Sequence, residues 1–446
     1  MSRLRFDRGE GVNDQDEAAR LIAALVSPRC GIVTSLFPQT RGPEEPTPPH
    51  LWNATLAHFS SQPTELSVRV AGGKGRTEAE AKLSALGEAI ERYGSFHWDP
   101  SRMRVGTASA DAITPLDCVL YADQQYAGGI GFSPWQTNTQ TTWITGTELP
   151  SNTPVEMPAA QVYGLGAPPR IEDFVVPSAS NGLAAGRDLP HAILSGLHEV
   201  IERDAFMLTW LNKLPARKIK PPQSGCHAAA ILRHYEKFGV QVRLFWLNTD
   251  QAPYVIMAVA EDPKDGGIFR VVGLGCEADP VVAVDKAMFE LCQLRAGMRM
   301  RMQEPGFEDR LQNYADVKTL NDHPLFHAIP SHATEFDFLD TDATAYDVQE
   351  LPKPPSDVVE DLIEDTVAKA VQAGARVAYA DITPPDIAAL GPRVVRVIVT
   401  GFQPIHFGHG QGRLGGRRLY DAPVAWGLRD KPLDLAELNQ CPHPLA

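Results

Sequence analysis

No two cysteines stand at Cys-x2-Cys spacing, although the chain carries six: Cys30, Cys118, Cys226, Cys276, Cys292 and Cys441. Cys226 and His227 are adjacent, but nothing nearby completes a four-ligand zinc site. The expectation is ordinary reduced thiols in a cytoplasmic protein. Positive charge is also scarce. A net charge of −14 and a pI near 5.4 make the chain a poor general binder of nucleic acid or of anionic membrane. No apolar run reaches membrane-spanning length, and the charged stretch Met1 to Gly11 has no apolar core such as a signal peptide needs. Familiar phosphate fingerprints are missing too. Gly73-Lys74-Gly75-Arg76-Thr77 lacks the Gly-x4-Gly-Lys-Ser/Thr spacing, and Gly164-x-Gly166 and Gly273-x-Gly275 are too short for a dinucleotide loop. No Ser/His/Asp or Cys/His arrangement can be assembled from the sequence.

What remains is 446 residues, 43% of them hydrophobic, enough for one large fold or two coupled domains with a full core. Residues 14–26 read as an amphipathic helix ended by Pro28. The stretch Gly42 to Pro49, with four prolines, reads as an exposed loop or flap. Segments 65–71, 172–177, 241–247, 254–260, 268–274, 375–382 and 394–400 are rich in Val, Ile and Phe and read as strands. The first, second and fifth of these lead through glycine into helical patterns. That βα rhythm predicts an α+β (mixed α/β) fold with helices packed on sheet. Asp337 to Pro355 reads as an acidic connector. The basic, glycine-rich run Gly408 to Arg418 reads as a loop able to close over substrate or phosphate, with His406 and His409 as candidate acid/base groups.

An internal repeat is the strongest signal. Ala81, Ser84, Glu88, Glu91 and Arg92 recur as Ala192, Ser195, Glu199, Glu202 and Arg203, every pair offset by 111 residues (195 − 84, 199 − 88, 202 − 91). A weaker third copy lies at an offset of 202: Ala283, Lys286, Glu290 and Gln293, with Arg295 one place beyond the position matching the arginine. At about 100° per residue, Ser84, Glu88 and Glu91 fall within roughly 60° of one another on a helix. Leu83, Leu86, Ile90 and Tyr93 fall on the far side, so each helix shows a narrow acidic stripe opposite a wide apolar face. One such helix would normally be solvated on its acidic side. Two copies that repeat a serine and an arginine with the glutamates call for a shared task. Carboxylate pairs facing one cleft can hold Mg2+ through oxygen, serine hydroxyls can bond phosphate or ribose, and arginines can pair with phosphate. A glycine turn before a helix can also present backbone N–H groups, with Lys74, to a phosphate.

The run from Gly73 through Ser84-x3-Glu88-x2-Glu91-Arg92-Tyr93, the run from Ser180-Asn181-Gly182 to Ser195-x3-Glu199-x2-Glu202-Arg203-Asp204, and Glu290-x2-Gln293-x-Arg295 together resemble the YcaO family over residues 65–446. The resemblance implies a YcaO catalytic domain over 65–446, preceded by an N-terminal segment, 1–64, with a helix and a proline-rich loop. It implies ATP and Mg2+ as cofactors, with metal on Glu88, Glu91, Glu199 and Glu202. Around the nucleotide it places Lys74, Ser84, Glu88, Arg92, Ser195, Glu199, Arg203, Glu290, Gln293 and Arg295. The chain ends Cys441-Pro442-His443-Pro444-Leu445-Ala446. Family members that make azolines on ribosomal peptides tend to end in a short proline-rich tail that reaches the active site. Pro442, Pro444 and Ala446, with Arg203, are therefore the implied catalytic positions, although a third alternating proline is lacking.

The implied reaction is ATP-dependent cyclodehydration. A Cys, Ser or Thr side chain of a ribosomal precursor peptide adds to the preceding backbone amide, whose oxygen leaves as phosphate. The expectation is the D-type cyclodehydratase subunit of a thiazole/oxazole-modified peptide pathway. Partners implied are the precursor peptide, a separate E1-like protein carrying the leader-binding element, and an FMN-dependent azoline dehydrogenase, with no nucleic acid and no membrane. Thioamide or amidine formation on a peptide backbone is the alternative chemistry. A nucleotide-binding scaffold subunit without catalysis is the alternative of a different class.

Overall fold

The computed structural model describes residues 13–59, 69–164, 170–177, 179–262, 268–303, 306–341 and 344–445. Three sheets carry the strands. The first is an antiparallel ribbon, β1 (Val33–Pro38), β2 (His50–Leu56) and β3 (Val70–Gly75), in that order. The second contains β4 (Met103–Gly106), β5 (Thr141–Leu149), β6 (Thr153–Pro158) and β7 (Leu183–Gly186), joined late in the chain by β13 (Val377–Asp381) and β14 (Arg393–Val399). Its order is β4-β5-β13-β14-β7, with β6 on the other side of β5. The third runs β11-β10-β9-β8-β12, made from β8 (Arg217–Ile219), β9 (Gln241–Trp246), β10 (Tyr254–Glu261), β11 (Arg270–Glu277) and β12 (Ala345–Tyr346). The principal helices are α1 (Asp14–Leu25), α2 (Glu78–Phe96), α3 (Leu189–Asn212), α4 (His227–Lys237), α5 (Pro280–Arg301), α6 (Asp322–His327) and α7 (Val359–Gln372). The α+β expectation is met.

The repeat is a strand–turn–helix unit used three times: β3 into α2, β7 into α3, and β11 into α5. Each helix starts on a side-chain cap. Thr77 accepts from Glu80 N–H at 3.2 Å, Asp188 from His191 N–H at 3.0 Å and Asp279 from Val281 N–H at 2.8 Å. These caps keep the offsets of the glutamates, 111 and 202 (188 − 77, 279 − 77). Glycine lets helix and strand approach closely. A Cβ on Gly73 would lie 2.1 Å from Ala81 O and 2.2 Å from Ala85 N, and one on Gly275 would lie 2.3 Å from Ala283 O and 2.5 Å from Ala287 N. Both contacts stand 202 positions apart, so the first and third units share the same tight seam.

The three units close on one another. Helix α2 packs on its own β3 and also touches β7. Helix α3 packs on β7 and β14 and also touches β11. Helix α5 packs on β11 and β10 and also touches β3. Each helix thus leans on the strand of the next unit, and the ring of contacts turns the three acidic stripes inward. The apolar faces point away into two cores: Leu86, Ala89 and Ile90 in one, and Ile193, Leu197, Ile201, Ala287 and Leu291 in the other.

Four expectations meet a different structure. The strand of the second unit is β7, not 172–177. There, Ile171–Asp173 is a 3-10 turn, because Asp173 accepts from Thr142 N–H at 2.9 Å and from its hydroxyl at 2.6 Å. Loop 42–49 is not an exposed flap: Glu45 is buried, accepting from Tyr235 Oη at 2.6 Å and Arg295 Nε at 3.0 Å. The glycine-rich loop after β14 is pinned, with Gly415 N–H donating to Leu120 O and Gly412 O accepting from Gln125 Nε2. The division at residue 64 falls inside the first sheet, whose β1 and β2 come from the N-terminal segment and whose β3 opens the repeat. Residues 65–68 of the first expected strand lie outside the described residues.

Gly275→Ala forces a methyl against backbone that cannot move without breaking α5, so it should cost about 1–3 kcal/mol or more in urea unfolding. Gly87→Ala, with nothing within 4 Å of the new Cβ, should leave stability unchanged or raise it by about 0.5–1 kcal/mol. A Gly275→Ala protein as stable as the wild type would contradict the close seam.

Candidate functional site

The stripes meet at a cleft of about 1840 Å3. Lys74 from β3, Ser84, Glu88, Glu91 and Arg92 from α2, Glu199 and Arg203 from α3, and Glu290 and Gln293 from α5 line it. Glu202 lies beneath the wall, 8% exposed, with Arg203 Nη1 3.3 Å from its carboxylate. Nine of the expected residues therefore share one cavity, with Glu202 just behind it.

Backbone N–H groups aim the first glutamate of each copy. Gly72 N–H donates to Glu88 at 2.9 Å, Gly182 N–H to Glu199 and Leu274 N–H to Glu290. Gly72 and Leu274 stand 202 apart, as do Glu88 and Glu290, so the same strand position anchors the same helix position (274 − 72, 290 − 88). Glu91 takes the N–H of Ala185 from the next unit's strand. Cations sit between the acids. Arg92 bridges Glu88 and the carbonyl of Val70, the latter at 2.7 Å, and Lys74 Nζ donates to Glu290 at 3.1 Å. Gln293 lies against Gly72, where a Cβ would come within 2.2 Å of its Nε2.

This crowding governs protonation. Burial, then Glu199 and Glu88, hold the Glu91 carboxyl well above the usual carboxylate range. Burial also pushes Glu199 and Glu202 up to about 7; Arg203 opposes this in both, and Glu202 and Glu290 respectively add to it. Burial alone would raise Glu290 as well, but Lys74 and Arg203 together bring it below the ordinary value. The site thus stores negative charge short of full ionisation, which suits a site that receives cations. Among the described residues no three His, Cys, Asp or Glu side chains stand close enough to hold a metal ion by themselves. That fits Mg2+, which takes one or two carboxylates and completes its shell with water and phosphate oxygens rather than with an all-protein cage.

Several expected residues lie elsewhere. Ser195 is exposed on the first turns of α3 and does not line the cleft. Arg295, expected beside the nucleotide, is fully buried and pairs with Glu45 over the Tyr235 ring. Two residues on from Gln293 is about 200° around the helix, so Arg295 must face the opposite side. Ala446 lies outside the described residues. Pro442 and Pro444 are buried, in a tail threaded into the core rather than trailing from it. Trp210 Nε1 donates to Cys441 O at 2.9 Å, His327 Nε2 to Pro442 O at 2.7 Å, His323 Nδ1 to His443 O at 2.9 Å and His443 Nε2 to His406 O at 2.6 Å. The rings of His323 and His443 stack at 4.0 Å. Burial holds His323 down to about 4 and His327 down to about 3, so these clamping histidines are neutral at ordinary pH. Pro324 and Phe407, chain neighbours of His323 and His406, line the cleft, which puts the tail directly behind its wall. His406 itself is held down to about 3 by burial, and its carbonyl serves the tail.

Asn53 and Gln39, which no motif or spacing marks, join the cleft from the N-terminal sheet and the residue after β1. Gln39 Nε2 donates to Gln293 O at 3.1 Å. No helix among the described residues is long and apolar enough to cross a membrane.

Residues 72–403 match the family described as YcaO cyclodehydratase, ATP- and Mg2+-binding. An uncharacterized protein of Methanothermobacter thermautotrophicus is 30% identical over 370 residues, covering 79% of this chain and 88% of its own. A heterocyclase solved in complex with substrate and cofactor superposes with a TM-score of 0.81 at 25% identity. The match covers 100% of this chain, which spans 59% of the heterocyclase's length. The fold is also that of the YcaO protein from Methanopyrus kandleri bound with AMPPCP and Mg2+, with a TM-score of 0.60 at 23% identity over 83% of this chain and 86% of that one.

Because Glu199 and Glu202 titrate near 7 when the site is empty, a cation must displace protons to bind. Nucleotide-dependent Mg2+ affinity should rise steadily from pH 6 to pH 8, with proton uptake by buffer measurable by calorimetry in buffers of different ionisation enthalpy. In the metal-free protein the sign is opposite. Unfolded glutamates titrate near 4.5, so between about 4.5 and 7 the folded state binds more protons, and these two groups' contribution to stability falls as pH rises. Flat Mg2+ affinity across this range would contradict the assignment.

Proposed function

The chain belongs to the YcaO family of ATP- and Mg2+-binding proteins, and on that premise we propose that it is the cyclodehydratase that converts Cys, Ser or Thr of a ribosomal precursor peptide to thiazoline or oxazoline. The observation that carries this reading is the convergence of three repeat helices on one cleft, with acids from each and Arg92, Arg203 and Lys74 between them. When bound, ATP supplies the phosphoryl group that makes the amide oxygen a leaving group, and Mg2+ neutralises the phosphates.

The protein's own part is to bind, orient and balance charge. Glu91 and Glu199 line the cleft without an ion pair among the described residues, and so are the foremost metal holders. Glu88 and Glu202 each engage an arginine, and complete the metal's surroundings while fixing Arg92 and Arg203. Those arginines and Lys74 meet the phosphates, and Ser84 and Gln293 offer neutral hydrogen bonds to the nucleotide. The tail, held behind the wall by His323, His327 and the carbonyl of His406, is the element nearest to hand for organising the peptide side. We assign Pro442 and Pro444 to it. The precursor peptide and an E1-like partner that presents it are the partners in this reading, and an FMN-dependent dehydrogenase would act only where the azoline is oxidised afterwards. Residues 65–446 form its catalytic domain, with the N-terminal strands completing the first sheet.

Glu202→Gln should keep the fold and lower turnover by about 100-fold or more, followed as loss of one water mass per ring in a cognate precursor. Wild-type water loss from this variant would sink the metal and arginine assignment. Removing Pro442 to Ala446 should lower both thermal stability and turnover, and unchanged values for both would contradict the tail's role. A sulfide-dependent mass gain in place of water loss would move the chemistry to thioamidation at the same site.

A further inference from the structure

A second, smaller cavity of about 90 Å3 lies between β14 and the segment around Ala179. Its polar lining includes Arg396, Arg413, Gln161, Asn181, Gln403 and Asp173. Arg396 is only 6% exposed. Its Nε donates to Gln161 O at 2.8 Å and its Nη2 to Ala179 O at 2.6 Å, while Nη1 is buried with no partner among the described residues. Gln161 Nε2 is likewise buried and has no partner among the described residues. Arg413 donates to Pro177 O, and its own carbonyl accepts from Gln403 Nε2 at 2.8 Å. Neither arginine has an ion pair with a carboxylate among the described residues. Asp173, the one acid in the wall, is taken up by Thr142. Asn181 Oδ1 and Gln403 Oε1 are acceptors without a partner among the described residues, so the pocket also has places for a protonated oxygen or a water.

Two buried guanidinium groups side by side, with Glu199 and Glu91 acting on Arg396 only from beyond ion-pair distance, are costly unless an anion joins them. The strain registers on Arg396. Burial drives it down to about 10 and Arg413 adds to the effect, while Glu199 only partly offsets it. The volume is that of about three waters, or of one tetrahedral oxyanion, and far short of a nucleotide or a peptide end. Guanidinium forks match the spacing of phosphate oxygens. The location adds a direction. Ser180 lines the main cleft while its neighbours Ala179 and Asn181 line this pocket, so one turn of backbone separates the two.

We propose that this pocket is a binding site for inorganic phosphate, placed to receive the oxyanion released beside Glu199 and hold it apart from the nucleotide. Its role in turnover rests on the nucleotide reading of the main cleft, but phosphate binding does not. The test is titration of the full chain with inorganic phosphate, without nucleotide or Mg2+, followed by calorimetry and by thermal shift against chloride at equal ionic strength. The expected result is saturable binding of one phosphate per chain. Arg413→Gln and Gln161→Leu should each weaken it at least tenfold, and Glu202→Gln should bind phosphate as the wild type does. Arg396→Gln removes two bonds to backbone and can lose the fold, so Gln161→Leu, which removes none shown here, carries the decision. Absence of saturable binding, or binding lost in Glu202→Gln and kept in Gln161→Leu, would overturn the proposal. Phosphate binding in a protein that fails to bind ATP would leave the pocket standing and remove the nucleotide reading instead.

Discussion

Five glutamates, Glu88, Glu91, Glu199, Glu202 and Glu290, are held within mutual electrostatic reach in a partly dry cleft. Two like charges about 4 Å apart repel by roughly 4 kcal/mol at an effective dielectric near 20, so such a group cannot all be ionised unaided. The surrounding structure answers that repulsion. Arg92, Arg203 and Lys74 stand between the acids, four backbone N–H groups point at them, and two carboxyls retain protons to near neutrality. What remains is an acidic cluster short of positive charge, the electrostatic setting that suits a divalent cation.

The ring of strand–helix contacts is what holds this charge in place. No single unit could, because each acidic stripe needs the next unit's strand at its back. Ala185 of β7 serves Glu91 of α2, and Gln293 of α5 lies against Gly72 of β3. The tight glycine seams set the depth at which the glutamates emerge. Behind the ring, the neutral histidines of α6 and of the loop after β14 fasten the chain end to Trp210 on α3, so the end of the sequence is built into the wall of the site.

The stripes were legible because a helix converts fixed spacing into fixed direction. Ser84, Glu88 and Glu91 had to share a face wherever the helix lay, and the offsets of 111 and 202 told that three such faces existed. Convergence on one cleft was not derivable from spacing, since it depends on which strand each helix crosses. Arg295 shows the limit in one residue. The family resemblance placed it with Gln293 at the nucleotide, but the helix turns it to the far side, where it pairs with Glu45 in a loop that looked exposed. The strand β7 escaped notice because Leu183–Gly186 is short and rich in alanine and glycine, while Val175 and Val176 nearby looked more strand-like yet lie outside regular structure. The tail's burial was hidden for a similar reason: five residues carry no periodicity, and Trp210, His323 and His327, which hold them, are more than 100 positions away.

A crystal structure with Mn2+ and a non-hydrolysable ATP analogue, read by anomalous scattering, tests the central claim most directly. Metal peaks should appear beside Glu91 and Glu199, with the phosphates directed at Lys74, Arg92 and Arg203. Nucleotide bound outside this cleft, or metal held by other side chains, would contradict it.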